Sequence, residues 1–176
     1  MTQQEILELL EIGKRRGFAI WIDGGWGVDA LLGRQTRPHN DVDVVIEREH
    51  AEAFVAELKV RGYREIVVGY TTASHAVWQA EDGRIVDLHL IEFDEDGIAH
   101  YEGESYPPGG LDATGTIGGV ALRCVSAEAQ LLFHQGYEHT QTDVHDVLLL
   151  CERFKFPVPE QYRADSAAPS GETGSC

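Results

Sequence analysis

Three cysteines in 176 residues, Cys124, Cys151 and Cys176, are odd in number and far apart, and none stands in a C-x-x-C pair. That excludes a disulfide framework and reads as reduced, intracellular thiols. No apolar run reaches the roughly 18–20 residues of a membrane span, and Met1-Thr2-Gln3-Gln4-Glu5 has no basic segment leading into an apolar one. The expectation is a cytoplasmic protein with no membrane partner. Basic residues are scarce: Lys+Arg number 14 against 30 Asp+Glu, for a formal charge of −16. This sign excludes a nucleic-acid binder that works through many phosphate contacts, and suits a cationic small molecule or a metal-bound nucleotide. Internal repeats are absent, and the chain is too short for two full domains. What remains, 43% hydrophobic, suffices for one well-buried domain with a small helical appendage.

Thr2 and Glu5 have capping-box spacing, and Ile6, Leu9 and Leu10 recur at helical spacing, which predicts a helix to about Lys14-Arg15 with Gly17 ending its connection. Phe18 to Ile22 reads as a buried strand. Asp23-Gly24-Gly25 breaks it, and Trp26 to Leu32 forms a short helix closed by Gly33. A proline-bearing loop, 34 to 40, leads into an acidic strand. A helix from Glu49 to Arg61 follows, then strands from Tyr63 to Val68 and from His75 to Ala80. A turn at Glu81-Asp82-Gly83 leads into a strand from Arg84 to Phe93. The stretch from Asp94 to Gly119 has weak periodicity and is expected to hold loops and short strands. Val120 to Val125 is a strand, Ser126 caps a helix from Ala127 to about Tyr137, and another helix covers Asp143 to Phe154. The expected divisions are 1–125 as the main domain, 126–156 as a small helical portion packing beside it, and 157–176 as a flexible tail rich in Pro, Ser, Ala and Gly.

The acidic strand carries the sharpest signal. A strand has a side-chain period of two, so Asp41 and Asp43 project from one face about 6–7 Å apart while Val42, Val44 and Ile46 project from the other. Two carboxylates so placed repel unless a cation lies between them, and hard oxygen ligands suit Mg²⁺ held together with substrate phosphates. Alone, D-x-D on a solvent-facing strand is more readily a charged edge than a cation site. Shortly before it, however, Gly24-Gly25 lies between a strand and a helix start, where backbone N–H groups can approach phosphate oxygens. Later, Val86, Leu88 and Leu90 share one face of a strand, while Asp87 and His89 share the other. Paired carboxylates joined by a third from another strand form the arrangement that metal-assisted phosphoryl transfer needs.

These residues carry a resemblance. Gly24-Gly25-Trp26, Asp41-x-Asp43 and Asp87 resemble the nucleotidyltransferase superfamily related to DNA polymerase beta. Trp21 to Leu31 with Thr36-Arg37-x-His39-x-Asp41-x-Asp43 is similar to the small antibiotic nucleotidyltransferases acting on lincosamides and aminoglycosides. Val86-Asp87-Leu88-His89 and Ala129 to Tyr137 lean towards the lincosamide branch. The resemblance implies an α+β fold, with a mixed sheet, helices on one face and a small helical C-terminal portion. It also implies transfer of a nucleoside monophosphate, AMP from ATP, to an antibiotic hydroxyl with release of pyrophosphate and Mg²⁺ as cofactor. By position, Asp41, Asp43 and Asp87 are catalytic and metal-binding residues, with Asp87 open between general base and ligand. Gly24 and Gly25 meet the triphosphate, and Arg37 and His39 are candidate nucleotide contacts.

His89, Glu92 and Tyr137 are candidate acceptor contacts. Arg37 is as readily a partner that neutralises the acidic cluster or pairs with Asp29, and Trp26 is a core residue before it is a stacking platform. Three further readings stand beside the lincosamide enzyme: an aminoglycoside nucleotidyltransferase, a non-catalytic module of antitoxin type, and a sugar-nucleotide transferase, for which the chain is short. A homodimer that completes the site suits a domain of this size.

Overall fold

The computed structural model describes residues 1–135 and 137–163. Helix α1 (Gln3–Arg16) starts where its capping box predicts: the Thr2 side chain accepts from the Glu5 N–H and the Glu5 carboxylate accepts from the Thr2 N–H. It ends at Gly17, with φ of 82°, a backbone setting that glycine adopts without strain. The N–H groups of Gly17 and Phe18 both donate to Gly13 O. The chain at Phe18 is therefore still closing the helix, and strand β1 is confined to Trp21–Asp23 rather than starting at Phe18.

Helix α2 (Gly24–Leu32) begins directly at the glycines, two residues earlier than expected, because Asp23 is its N-cap. Strand β2 (Asp41–Glu47) is followed by a 3₁₀ turn (Arg48–His50) and α3 (Ala51–Val60), so the helix foreseen from Glu49 is a turn plus a helix. Strands β3 (Arg64–Ile66), β4 (His75–Gln79) and β5 (Ile85–Phe93) follow, β4 and β5 forming the hairpin predicted around Gly83.

The stretch of weak periodicity holds β6 (Ala99–Tyr101), β7 (Glu104–Ser105) and β8 (Ala113–Ile117). Strand β8 escapes a pattern reading because it places Gly115 where a Cβ would lie 2.5 Å from the Ala30 backbone of α2. Close helix approach, not alternation, chose that residue. Strand β9 (Val120–Cys124) completes the set.

Among the described residues the main sheet runs β3-β4-β5-β2-β1-β9-β8, with β6 and β7 continuing from β5. The sheet is mixed: β2 lies parallel to β5 and antiparallel to β1, and β1 is parallel to β9. One face is covered by α1, α2 and α3, whose Ile6, Leu9, Ile12, Trp26, Phe54 and Leu58 pack with Ile22, Val42, Val44, Ile46, Val86 and Leu88. Each such fully buried side chain stabilises by about 1.5–3 kcal/mol. A smaller apolar cluster on the opposite face joins Trp21, Val45 and Ile91 to Ala99, Tyr106, Val125 and Ala129. It leaves the middle of β1, β2 and β5 to polar side chains.

The first compact unit runs from Met1 to Gln130 and a second begins at Leu131, a few residues beyond the expected boundary. The start of α4 (Ala127–Phe133) belongs to the first unit because Ala129 packs in the smaller cluster. In the second unit α5 (Gln141–Phe154) carries its own capping box, Thr140 with Asp143. A 3₁₀ turn (Glu160–Tyr162) follows, in which the buried Tyr162 hydroxyl donates to His134 O at 2.6 Å. The stretch foreseen as a tail from 157 thus begins with an anchored turn. Its remainder, 164–176, including Cys176, lies outside the described residues. Among the described residues no helix is long and apolar enough to cross a membrane. Cys124 and Cys151 are buried free thiols, and burial pushes the Cys124 thiol up to about 12.

Candidate active site

Register builds the site. Asp43 pairs with Asp23 across the antiparallel β1–β2 ladder and with Asp87 across the parallel β2–β5 ladder. Three adjacent central strands therefore present one carboxylate each in a row. Asp41, two residues before Asp43, shares that face. Asp23 was absent from the sequence-based set because it reads as a turn residue; it serves as both strand end and N-cap, its Oδ1 accepting from the Gly24 N–H at 2.8 Å.

The carboxylates act on one another. The Asp41 carboxyl sits above its ordinary pKa, first because surrounding protein shields it from water and then because Asp43 and Asp87 add negative charge. Arg37 pulls in the opposite direction. A row of hard oxygen donors with unbalanced negative charge fits Mg²⁺, which is ordinarily held by one or two carboxylates together with phosphate oxygens.

The glycines are present for room. A Cβ on Gly24, which has φ of +55°, would lie 2.0 Å from Asp43 Oδ2. With its own N–H engaged by Asp23, Gly24 offers space rather than a donor. A Cβ on Gly25 would lie 2.3 Å from Arg37 Nη2 and 2.7 Å from His39 Nδ1. Arg37 therefore covers the start of α2 beside Asp41, where its charge can reach an anion.

His39 is not turned that way. Its ring is buried, 4% exposed, with Nε2 2.6 Å from Asp29 Oδ2, and it lies against Trp26 with ring centroids 4.6 Å apart. Asp29 Oδ1 also accepts from the Thr36 N–H and hydroxyl at 2.9 and 2.6 Å. The Asp29 carboxylate thereby ties loop 34–40 to α2, and the ring of His39, the expected nucleotide contact, is held in this buried support.

On β5 the structure gathers a set that sequence reading only half found. His75, at the start of β4, pairs with His89 across the hairpin, and its Nε2 is 2.6 Å from Asp87 Oδ1. The two imidazoles lie with centroids 4.3 Å apart. His89 Nε2 is 3.4 Å from Asp43 Oδ1, and its Nδ1 is 3.1 Å from the Tyr101 hydroxyl. Burial works against a charge on His89, but Asp43 outweighs it and holds the ring above its ordinary pKa. Burial pushes the Tyr101 phenol up as well, so it stays protonated.

Glu92 has the opposite parity along β5 and does not join the carboxylate row. It is engaged by Arg48, whose guanidinium also donates to Ala73 O and Ser74 Oγ. The acceptor contact expected of Glu92 thus falls on a carboxylate that Arg48 already engages. Tyr137 belongs to the second unit, where its hydroxyl donates to Asp143 Oδ1 at 3.2 Å. On the carboxylate face of the first unit, an apolar cavity of about 370 Å³ is lined by Phe93, Ile98, Tyr106, Pro107, Pro108 and Leu111, among others. Phe93 contacts Trp21, with ring centroids 6.4 Å apart.

Comparison with known proteins adds the following. The sequence model of the Aminoglycoside-2''-adenylyltransferase family matches residues 5–150. A lincosamide resistance protein of Staphylococcus haemolyticus is 32% identical over 151 residues, covering 84% of this chain and 92% of the relative. A 2''-aminoglycoside nucleotidyltransferase of Escherichia coli is 33% identical over 130 residues, 70% of this chain and 67% of the relative. Among solved structures, the lincomycin-bound lincosamide antibiotic adenylyltransferase LnuA superposes with a TM-score of 0.74 at 32% identity, covering 85% of this chain and 96% of that one.

Proposed function

The chain belongs to the Aminoglycoside-2''-adenylyltransferase family, and as a nucleotidyltransferase of that family, we propose, it transfers AMP from ATP to a hydroxyl of a lincosamide antibiotic and releases pyrophosphate. The single observation that carries this reading is the row of Asp23, Asp43 and Asp87 on adjacent strands, with Asp41 on the same face and Gly24 cleared for the Asp43 carboxylate. The lincosamide assignment is supported by likeness over 92% of a lincosamide resistance protein. The family match favours an aminoglycoside as the second candidate.

In this mechanism Asp41 and Asp43 would hold Mg²⁺. When bound, the ion supplies the positive charge that lets a triphosphate approach four carboxylates, and it stabilises charge on the transferring and leaving oxygens. Arg37, lying over Gly25, adds a fixed cation at the helix start for the phosphate chain. Asp87 receives the acceptor hydroxyl's proton. Its Oδ1 is engaged by His75, which holds the carboxylate in one rotamer and leaves Oδ2 for the acceptor. The apolar cavity beside Phe93 and Tyr106 suits the nonpolar part of an amphipathic drug, with His89 standing between Asp87 and Phe93 along β5. A cytoplasmic location, where ATP is available, goes with this reading, as do the free thiols Cys124 and Cys151.

The test is a mass-resolved assay with ATP, MgCl₂ and a panel of lincosamides and aminoglycosides. An adenylylated lincosamide with matching pyrophosphate is expected; no adduct with any member ends the proposal. Asp41→Asn and Asp43→Asn each remove nearly all turnover while leaving the fold intact. Asp87→Asn lowers kcat without raising the Mg²⁺ concentration needed for half-activity, whereas a ligand role for Asp87 raises it.

A further inference from the structure

Beside the hard carboxylate pair lies a set of different chemistry. His75, Asp87 and His89 each offer one ligand atom, and these atoms lie within 4.8 Å of one another. The side chains are 16, 13 and 17% exposed, sheltered but open to an ion. Asp43 Oδ1, 3.4 Å from His89 Nε2, stands ready as a fourth donor. In a tetrahedral zinc site with bonds of about 2.0–2.1 Å, ligand atoms are about 3.3 Å apart. The His89–Asp43 edge already has that length. The His75–Asp87 edge, 2.6 Å as a hydrogen bond, needs to open by about 0.7 Å.

The surroundings suit a ligand role. The Tyr101 hydroxyl beside His89 Nδ1 can accept a hydrogen bond from the Nδ1–H of an imidazole bound to metal through Nε2, and such outer partners fix an imidazole for metal binding. Tyr70, with its ring centroid 5.0 Å from that of His75, packs against the other imidazole. Imidazole nitrogens favour Zn²⁺, Co²⁺ or Ni²⁺ over Mg²⁺.

We propose that His75, Asp87 and His89, with Asp43, form a second metal site selective for a zinc-like divalent ion, and that its occupation blocks the transferase. Binding replaces the His75–Asp87 hydrogen bond with two metal bonds and draws Asp87 away from the acceptor hydroxyl. The blocking effect rests on the transferase reading; the binding does not.

The full chain is titrated with Co²⁺ in excess Mg²⁺. Tetrahedral visible absorption bands are expected, displaced by Zn²⁺ at one equivalent. His75→Ala and His89→Ala each weaken Co²⁺ binding on the order of 100-fold or more, the upper end of what even an outer-partner loss produces. His50→Ala, in the separate Glu47, Glu49 and His50 group, leaves it unchanged. Far-UV circular dichroism of each variant confirms folding, and His75→Gln serves where His75→Ala does not fold.

The proposal is overturned by absence of the bands in the wild type, by bands that survive both histidine changes, or by bands lost with His50→Ala. In the drug assay, Zn²⁺ abolishes turnover reversibly to a chelator; full turnover with the site loaded overturns the blocking role. If no drug is adenylylated while the bands behave as expected, the transferase reading fails and the metal site stands.

Discussion

Gly24→Ala separates the steric job of the first glycine from its conformational one. An alanine at φ of +55° bears a backbone cost of about 1–2 kcal/mol, read as a drop in Tm of roughly 2–8 °C for a chain this long. The same cost falls on Gly33→Ala, where φ is +71° and nothing lies within 4 Å of the new methyl. Only at Gly24 does the methyl also meet a functional group. From 2.0 Å to the 3.4 Å of ordinary contact, Asp43 Oδ2 must retreat about 1.4 Å. A displacement of that size at a reacting centre costs about 100-fold in rate, or about 2.7 kcal/mol of barrier. Thermal melts and steady-state kinetics of both variants on the drug that gives product provide the assay. Similar Tm losses with turnover lost only in Gly24→Ala are expected. Turnover of Gly24→Ala within about threefold of wild type, or an equal rate loss in Gly33→Ala, refutes the claim that Gly24 clears space for the Asp43 carboxylate.

Two further predictions concern support away from the chemistry. Glu57 on α3 binds Arg61, which caps the end of that helix, at 2.6 Å and Arg15 and Arg16 on α1 at 3.4 and 2.6 Å. Hydrogen bonds from Arg61 and then Arg16 hold its carboxyl down to about 2 against an ordinary 4.5. A depressed carboxylate stabilises above its unfolded pKa and loses that contribution as pH falls through the folded one. Glu57→Gln is thus less stable than wild type at pH 7, and the gap closes between pH 4.5 and 2; a gap unchanged across that window in urea titrations contradicts the linkage. Asp29→Ala leaves His39 and Thr36 donors facing a void. Each donor left unpaired costs roughly 1–3 kcal/mol, so losing the three bonds lowers Tm by at least about 6 °C, and a drop under about 2 °C would show that the loop does not depend on Asp29.

Local signals were legible and long-range ones were not. The capping box at Thr2, the acidic face of β2 and the hairpin at Gly83 are set by neighbours in sequence, and each stands close to where its residues indicate. Which strand lies beside which is set by the core, and no period of two or 3.6 encodes it. Gly115 illustrates the loss: its reason is the Ala30 backbone, 85 positions away in sequence. The parity of Glu92 was available, since it alternates with Asp87 and shares the side of Leu88 and Leu90. Acidic character outweighed parity, and Arg48 holds Glu92 instead. His39 had the right parity only if the strand began early. It begins at Asp41, so the ring follows the loop inward to Asp29.

His75 is the instructive omission, because it needed no tertiary information. Once the turn at Glu81-Asp82-Gly83 fixes Gln79 opposite Ile85, counting outwards puts Val77 opposite Asp87 and His75 opposite His89. A register that this three-residue turn determines thereby delivers a second imidazole to the carboxylate proposed to meet the acceptor. Asp23 is the converse case: it reaches the row only because β1 runs antiparallel to β2 with Trp21 opposite Val45, a pairing made by Trp21 and Val45 meeting in the smaller cluster. Packing of two apolar side chains on one face thus fixes, two residues along, where a carboxylate stands. Shifting that register by one residue would bury Asp23 among the helices, so a substitution that loosens the Trp21–Val45 contact disturbs the site as well as the core.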